Sequence, residues 1–135
     1  MREILFKAKR KDNGEWVEGF LIKDLHEEEW YIGFLFGGGA HDTDVAQINL
    51  ETICQYTGLT DKNGNKIWEN DVIGYWDTYS TENGYAEADC IGKVFWDDET
   101  LSFQVTERLS AESYEVMDEC SVIGNIFDNP ELIGE

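Results

Sequence analysis

The chain is short of several things, and each shortage closes a class of function. It has 135 residues but only one proline, Pro130, so no proline-rich linker divides it. It has only three cysteines, Cys54, Cys90 and Cys120, odd in number and widely spaced. That pattern does not build a disulfide scaffold and fits reduced thiols in a cytoplasm, serving as small core hydrophobes. No apolar run approaches the ~20 residues that span a bilayer. The first residues, MREILFKAKRK, lack the apolar stretch and small-residue cleavage site of a secretory signal. A cytoplasmic protein without membrane contact is therefore expected. Basic residues are scarce as well, ten against 29 acidic ones, for a net charge of −19. Five of the ten, Arg2, Lys7, Lys9, Arg10 and Lys11, fall in the first eleven positions beside a single acid, Glu3. From residue 12 onward five basic residues face 28 acidic ones, a net of −23. Such a field repels phosphates over most of the surface, so nucleic acid is an unexpected partner except at the first strand.

Catalytic and metal-binding patterns are missing too. His26 and His41 are the only histidines, and no Cys-x-x-Cys pair exists. His26 with Glu27, Glu28 and Glu29 reads as a solvated acidic loop rather than a metal site. His41-Asp42-Thr43-Asp44 alternates acids as calcium loops do, without their later glycine and glutamate. Asp97-Asp98-Glu99 sits in a predicted hairpin turn, where water leaves carboxylates ordinary rather than tuned for acid catalysis. No nucleophile elbow, P-loop or dinucleotide fingerprint is present. The residues point to no catalytic role, no cofactor and no metal.

What the chain does have is apolar and aromatic: 41% hydrophobic residues, with five Trp, six Tyr and seven Phe. That supports a sizeable core and argues against disorder. The grammar is that of strands. Ile4, Phe6 and Ala8 alternate with Glu3, Lys7 and Lys9, and Asp12-Asn13-Gly14 turns the chain into Trp16–Ile22, an N-terminal hairpin. Trp30–Phe36 reads as a buried strand ended by Gly37-Gly38-Gly39. Residues 45–56 fit either a short helix or two short strands, with strand favoured, and a loose seam is placed near residues 40–55. In QYTGLTDKNGNKIWENDVIGYW, residues 55–76, an apolar run breaks at Gly58, Asp61-Lys62-Asn63-Gly64 turns, and Val72–Trp76 forms a strong strand. Residues 77–84 read as a polar connection and Ile91–Trp96 as a strand. Leu101, Phe103 and Val105 mark another, and residues 107–115 have room for a helical turn. Val122–Phe127 is the last strand, followed by a helical turn with Asn129 as N-cap and Pro130 at its first position. These short strands and turns predict a single mainly β domain over 1–135, with little helix, arranged as a small antiparallel barrel or sandwich.

Four stretches carry a resemblance. They are Trp16–Leu21, Gln55–Gly64, Ile67–Ile73 and Val122–Leu132 (VIGNIFDNPEL). Together they resemble the YopX family of small bacteriophage and prophage proteins over nearly the whole chain. Asn70 stands where that family usually has glycine before the aspartate; asparagine also tolerates a left-handed backbone. The resemblance implies a mainly β fold with an SH3-like barrel element. It implies no reaction and no catalytic residue.

The functional expectation is a phage-encoded accessory protein that binds a phage or host protein without catalysis. An acidic mimic of DNA, blocking a nucleic-acid-binding protein, is the alternative, with an enzyme or a nucleic-acid binder using the basic first strand behind it. Lys7, Lys9, Arg10, Lys11 and Trp68 are the candidate interaction residues. The cations have two readings: internal neutralisation of acidic loops, or contact with an acidic face of another copy in a homo-oligomer.

Overall fold

A computed structural model of the chain describes residues 4–35, 43–107, 113–116 and 119–134. It divides into two compact units, Met1–Tyr56 and Thr57–Glu135. The boundary lies just past the seam expected near 40–55. The glycine run 37–39 and residues 41–42 of the calcium-like stretch lie outside the described residues.

The first unit is an antiparallel sheet of β1 (Phe6–Lys9), β2 (Trp16–Lys23), β3 (Trp30–Leu35), β4 (Thr43–Gln47) and the start of β5 (Cys54–Thr60), in the order β4-β3-β2-β1-β5. The predicted N-terminal hairpin is present, with Lys9 opposite Trp16 and Phe6 opposite Gly19. Residues 45–56 satisfy both readings of their pattern. They form a strand, a 3-10 turn at Leu50–Thr52, and the next strand. Asn49 caps that turn by accepting from the Glu51 N–H at 3.1 Å. Thr52 Oγ1 accepts from the Lys9 N–H at 2.9 Å and fastens the turn to β1. Period-two alternation then sorts the faces. Ala8, Ile32 and Ile48 are buried on one side, with Phe6, Val17, Leu21, Trp30 and Ile53 packed against them. The acidic stretch 24–29 is a solvated turn, as expected: Asp24 accepts from the backbone N–H groups of His26 and Glu27.

The second unit holds β6 (Lys66–Trp68), β7 (Asp71–Thr81), β8 (Gly84–Asp97), β9 (Ser102–Glu107), β10 (Ser113–Glu115) and β11 (Cys120–Asn125). Five of these form an antiparallel sheet in the order β10-β9-β8-β7-β11, and β6 pairs with the far end of β5. Ile67, Ile73, Val94, Val105, Val116 and Cys120 make its buried core. Neither sheet closes on itself among the described residues. The expectation of a mainly β chain with little helix holds; the SH3-like barrel element is replaced by open antiparallel sheets. Cys54 and Cys120 are buried and Cys90 is half-buried, and the three are not joined in disulfides.

Three local readings need correction. Residues 77–81 are strand, not a polar connection, because β7 runs on to Thr81 and pairs with β8 down to Gly84. Ser113–Glu115 is a strand pairing with β9, where a helical turn was expected. Asn129 does not cap the Pro130–Ile133 3-10 turn with its side chain. Its Oδ1 accepts from the Asn125 N–H instead, at 3.3 Å. Pro130 does occupy the start of that turn.

The patterned stretch 55–76 is held by one buried side chain. Asp61 is 4% exposed. Its Oδ1 accepts from the backbone N–H groups of Asn63 and Asn65 at 2.9 and 2.8 Å. Its Oδ2 accepts from the Val122 N–H at 2.9 Å, 61 residues away. The Lys62 N–H donates to the Cys120 carbonyl at 3.0 Å. The turn is thus both closed on itself and tied to β11. Gly64 sits at φ 84°, a left-handed position that favours glycine. Asn70 sits at φ 72°, so asparagine does fill the family's glycine position with a left-handed backbone. Burial pushes the Asp61 carboxyl up, but its N–H donors outweigh this and hold it below its ordinary value of 3.8.

Asp61→Ala leaves three backbone N–H groups without their acceptor, at about 1–3 kcal/mol for each that stays buried. A loss of about 2–4 kcal/mol by chemical denaturation is expected. Asp61→Asn should lose less. Because the folded pKa is depressed, the carboxylate's contribution is present above about pH 4 and fades as pH falls through the folded value. The gap between wild type and Asp61→Asn should therefore be flat above about pH 5 and narrow below pH 4. A gap that widens on acidification would refute this account of Asp61.

Gly19 meets a different constraint. A Cβ there would run into the Gly33 carbonyl oxygen and lie 3.0 Å from Ile32 Cγ2. Gly19→Ala should destabilise the protein by about 1–3 kcal/mol in the same assay, as overpacking does. Gly74→Ala, whose Cβ would make only ordinary contact, 3.7 Å from Ile123 Cγ2, and whose φ is not positive, serves as the uncrowded comparison.

Candidate functional site

The predicted basic residues lie together on and after β1, and the structure gives each a partner within the first unit. Lys9 is opposite Trp16 in register, and its Nζ lies 5.4 Å from the indole centroid. Lys7 Nζ lies 4.6 Å from the same ring. Both are within cation–π range. Arg10 forms a bidentate pair with Asp12, at 3.0 Å from Nε and 2.8 Å from the terminal nitrogen. This contact raises the Arg10 pKa and lowers that of Asp12. Lys11 Nζ is 3.3 Å from Glu29 Oε2, which also accepts from Gln47 Nε2 at 2.8 Å. Gln47 first and Lys11 second hold the Glu29 carboxyl below its usual range. Arg10 and Lys11 are thus engaged with acids of their own chain, as the internal reading of these cations requires. Arg2 lies outside the described residues.

Trp68 differs from its expected role. It is 5% exposed, and its backbone N–H donates to Asp71 Oδ2 at 2.8 Å. It belongs to the interior and offers no face to a partner. The exposed tryptophans are Trp76, at 63%, and Trp96, at 40%. The Trp96 indole donates to Asp98 at 2.9 Å and stands edge-on to Phe103 at 5.0 Å. Asp97, Asp98 and Glu99 form the expected turn, and Asp97 accepts from the Glu99 N–H at 2.9 Å.

Two surfaces remain. On the first unit, the face opposite the core carries Lys7, Lys9, Trp16, Glu18, Phe20, Ile22, Tyr31 and Val45, with the exposed acid Glu18 opposite Lys7. Their common side follows from the registers Lys9–Trp16, Phe20–Gly33 and Gly33–Val45 and from alternation along β2. Phe20 is 65% exposed, Val45 50% and Ile22 43%. Gly33, between Phe20 and Val45, adds no side chain, and Ile22 leans over it: its Cδ1 lies 2.9 Å from where a Cβ would stand. On the second unit, a cavity of about 70 Å³ is lined by residues of β7, β9, β10 and β11 and by Glu119. Ile73, Val105 and Cys120 form part of its lining, with Tyr75, Trp76, Glu115 and Glu119. A shallower depression of about 200 Å³ shares Tyr75, Trp76 and Glu119 with it.

Neither surface was visible in the sequence. Trp76 closes a contiguous apolar run, Val72–Trp76, in which both faces look alike. Phe20 and Ile22 belong to a mixed run whose inward members are Val17, Gly19 and Leu21. In both cases the missing signal is the register that assigns the faces. Among the described residues no group of three or more His, Cys, Asp or Glu is placed to hold a metal ion. No described helix is long and apolar enough to cross a membrane.

These features define a small, mainly β protein whose described surface is marked by apolar and aromatic patches. The chain belongs to the YopX family: the family described as YopX protein matches residues 5–134. A solved structure with the same fold is protein EF1440 from Enterococcus faecalis. It is 22% identical, with a TM-score of 0.55, and the match covers 98% of this chain and 99% of that one. No curated protein matches this sequence.

If the cations serve their own chain, Lys11→Glu should lower Tm slightly at low salt. The effect should disappear at 1 M salt, where the Debye length is about 3 Å. A drop in Tm that persists at 1 M salt would show a packing role instead.

Proposed function

We propose that this protein is a non-catalytic module that binds another protein, acting as a phage or prophage accessory factor. The carrying observation is the exposed strip of Phe20, Ile22 and Val45 on the open face of the first unit's sheet. Isolated exposed apolar residues are ordinary, but three adjacent ones on one sheet face form a patch of the kind that marks interaction sites. The strip shares its face with Lys7 and Lys9, whose ammonium groups lie over Trp16. A complementary partner presents apolar side chains bordered by carboxylates, with the charges steering encounter and the apolar contact supplying most of the affinity.

A photo-crosslinking residue placed at Phe20 tests this in cells of the bacterial host. A discrete protein adduct is expected from position 20 and not from Leu101, an exposed apolar residue in the β8–β9 turn. The adduct should vanish when Val45→Ser and Ile22→Ser are added, with Tm little changed. Equal labelling from Phe20 and Leu101, or no adduct from Phe20, would remove the support for this surface.

A further inference from the structure

We propose that the Trp76 cavity of the second unit receives a basic side chain, arginine or lysine, from a segment of a partner protein. This surface lies on the other unit from the sheet face described above, and its test is independent of that one.

Size sets the first limit. Pockets for drug-sized ligands and cofactors measure about 300–1,000 Å³. A cavity of about 70 Å³ admits the end of one side chain rather than a small molecule. Chemistry sets the second. The lining is divided between apolar atoms and two carboxylates: Ile73, Val105 and Cys120 belong to the buried core, whereas Glu115 and Glu119 are exposed. A purely apolar guest would cover those carboxylates without replacing their water. Lysine and arginine match both parts, because the methylene stem lies on apolar surface while the charged head stays at the rim. An arginine head can also take a carboxylate through two parallel hydrogen bonds. Trp76, 63% exposed beside the cavity, offers an indole face, the best aromatic surface for a cation.

The surrounding field agrees in sign. The second unit holds four basic residues, Lys62, Lys66, Lys93 and Arg108, against 18 acidic ones, a net of −14. Between Lys66 and Lys93 there is no Lys or Arg at all, and six acids, including Asp89. Lys62 lines the adjacent depression, together with Asp89 and Glu119, but not the cavity. A basic segment approaches this cavity with electrostatic steering; an acidic one is repelled.

The experiment is calorimetric titration of the full chain with an acetylated tetra-arginine peptide near 0.15 M salt, with acetylated tetra-glycine as the uncharged control. The arginine peptide should bind and the glycine peptide should not. Trp76→Ala should weaken binding about three- to tenfold. The double variant Glu115→Gln/Glu119→Gln should weaken it at least as much, while Glu131→Gln, an exposed acid outside the cavity, should leave it unchanged. Trp76→Leu, which keeps apolar bulk but removes the ring, replaces Trp76→Ala if the latter lowers Tm. The proposal is overturned if no binding is seen, or if Glu131→Gln weakens binding as much as the cavity variants, which would mean diffuse charge attraction only. It also falls if wild type self-associates at low salt and Trp76→Ala abolishes that association, since the occupant would then be a second copy of this chain.

Discussion

The fold of the second unit turns on one carboxylate. Asp61 gathers backbone N–H groups from its own turn and from β11, so two segments 61 residues apart share a single acceptor. A neutral amide in its place has one acceptor oxygen and a donor that faces other donors. Burial alone would neutralise an acid at this position. The convergent donors instead keep it ionised, and that charge makes each hydrogen bond stronger than a neutral one. The most strongly patterned stretch of the chain, residues 55–76, thus has a structural account. Its polar residues are spent on closing a turn and anchoring the last strand.

Much of this architecture was legible. The alternation in residues 4–8, the Asp-Asn-Gly turn, and the runs at 30–36, 72–76 and 101–105 gave strands where strands occur, because each couples a period-two pattern to a nearby turn signal. Gly64 ends the predicted turn and Asn70 stands where the resembled family usually has glycine, and both are left-handed in the structure. What failed shares one cause. Residues 77–81 are polar strand, and Ser113–Glu115 pairs with β9; neither has the apolar alternation of a strand backed by a core. Their conformation is set by ladder hydrogen bonds to neighbours, which no local pattern encodes. The placement of tryptophans failed for a related reason. Composition says that five are present, and only register shows that Trp68 is inside and Trp76 outside.

The basic first strand illustrates how a sequence feature changes meaning once neighbours are known. Five clustered cations in a chain of net −19 suggest a binding arm. In the structure Arg10 and Lys11 engage Asp12 and Glu29, and Lys7 and Lys9 lie over Trp16. The cluster offsets repulsion where the turns of the first unit bring acids close to β1. On the outer face Lys7 and Lys9 stand beside the apolar strip together with Glu18, which pairs in register with Lys7. The solved Enterococcus faecalis relative shares the fold at 22% identity, a level at which it carries architecture and not the chemistry of either surface.

The β7–β8 hairpin has a consequence for how the protein behaves when crowded. Among the described residues, β11 pairs with β7 only as far as Tyr75, and β9 pairs with β8 only from Gly92 onward. Residues 76–89 therefore continue as a two-stranded ribbon with backbone donors and acceptors along its sides. Ribbons of this kind invite a strand from another molecule, which is the first step of sheet-to-sheet aggregation. Asp77, Glu82, Glu87 and Asp89 lie along this one, with no Lys or Arg among them. Like charges facing one another across two such edges disfavour their pairing. Acidity that looks like surplus in the composition thus also falls along a ribbon edge, a position where charge of one sign works against edge-to-edge pairing.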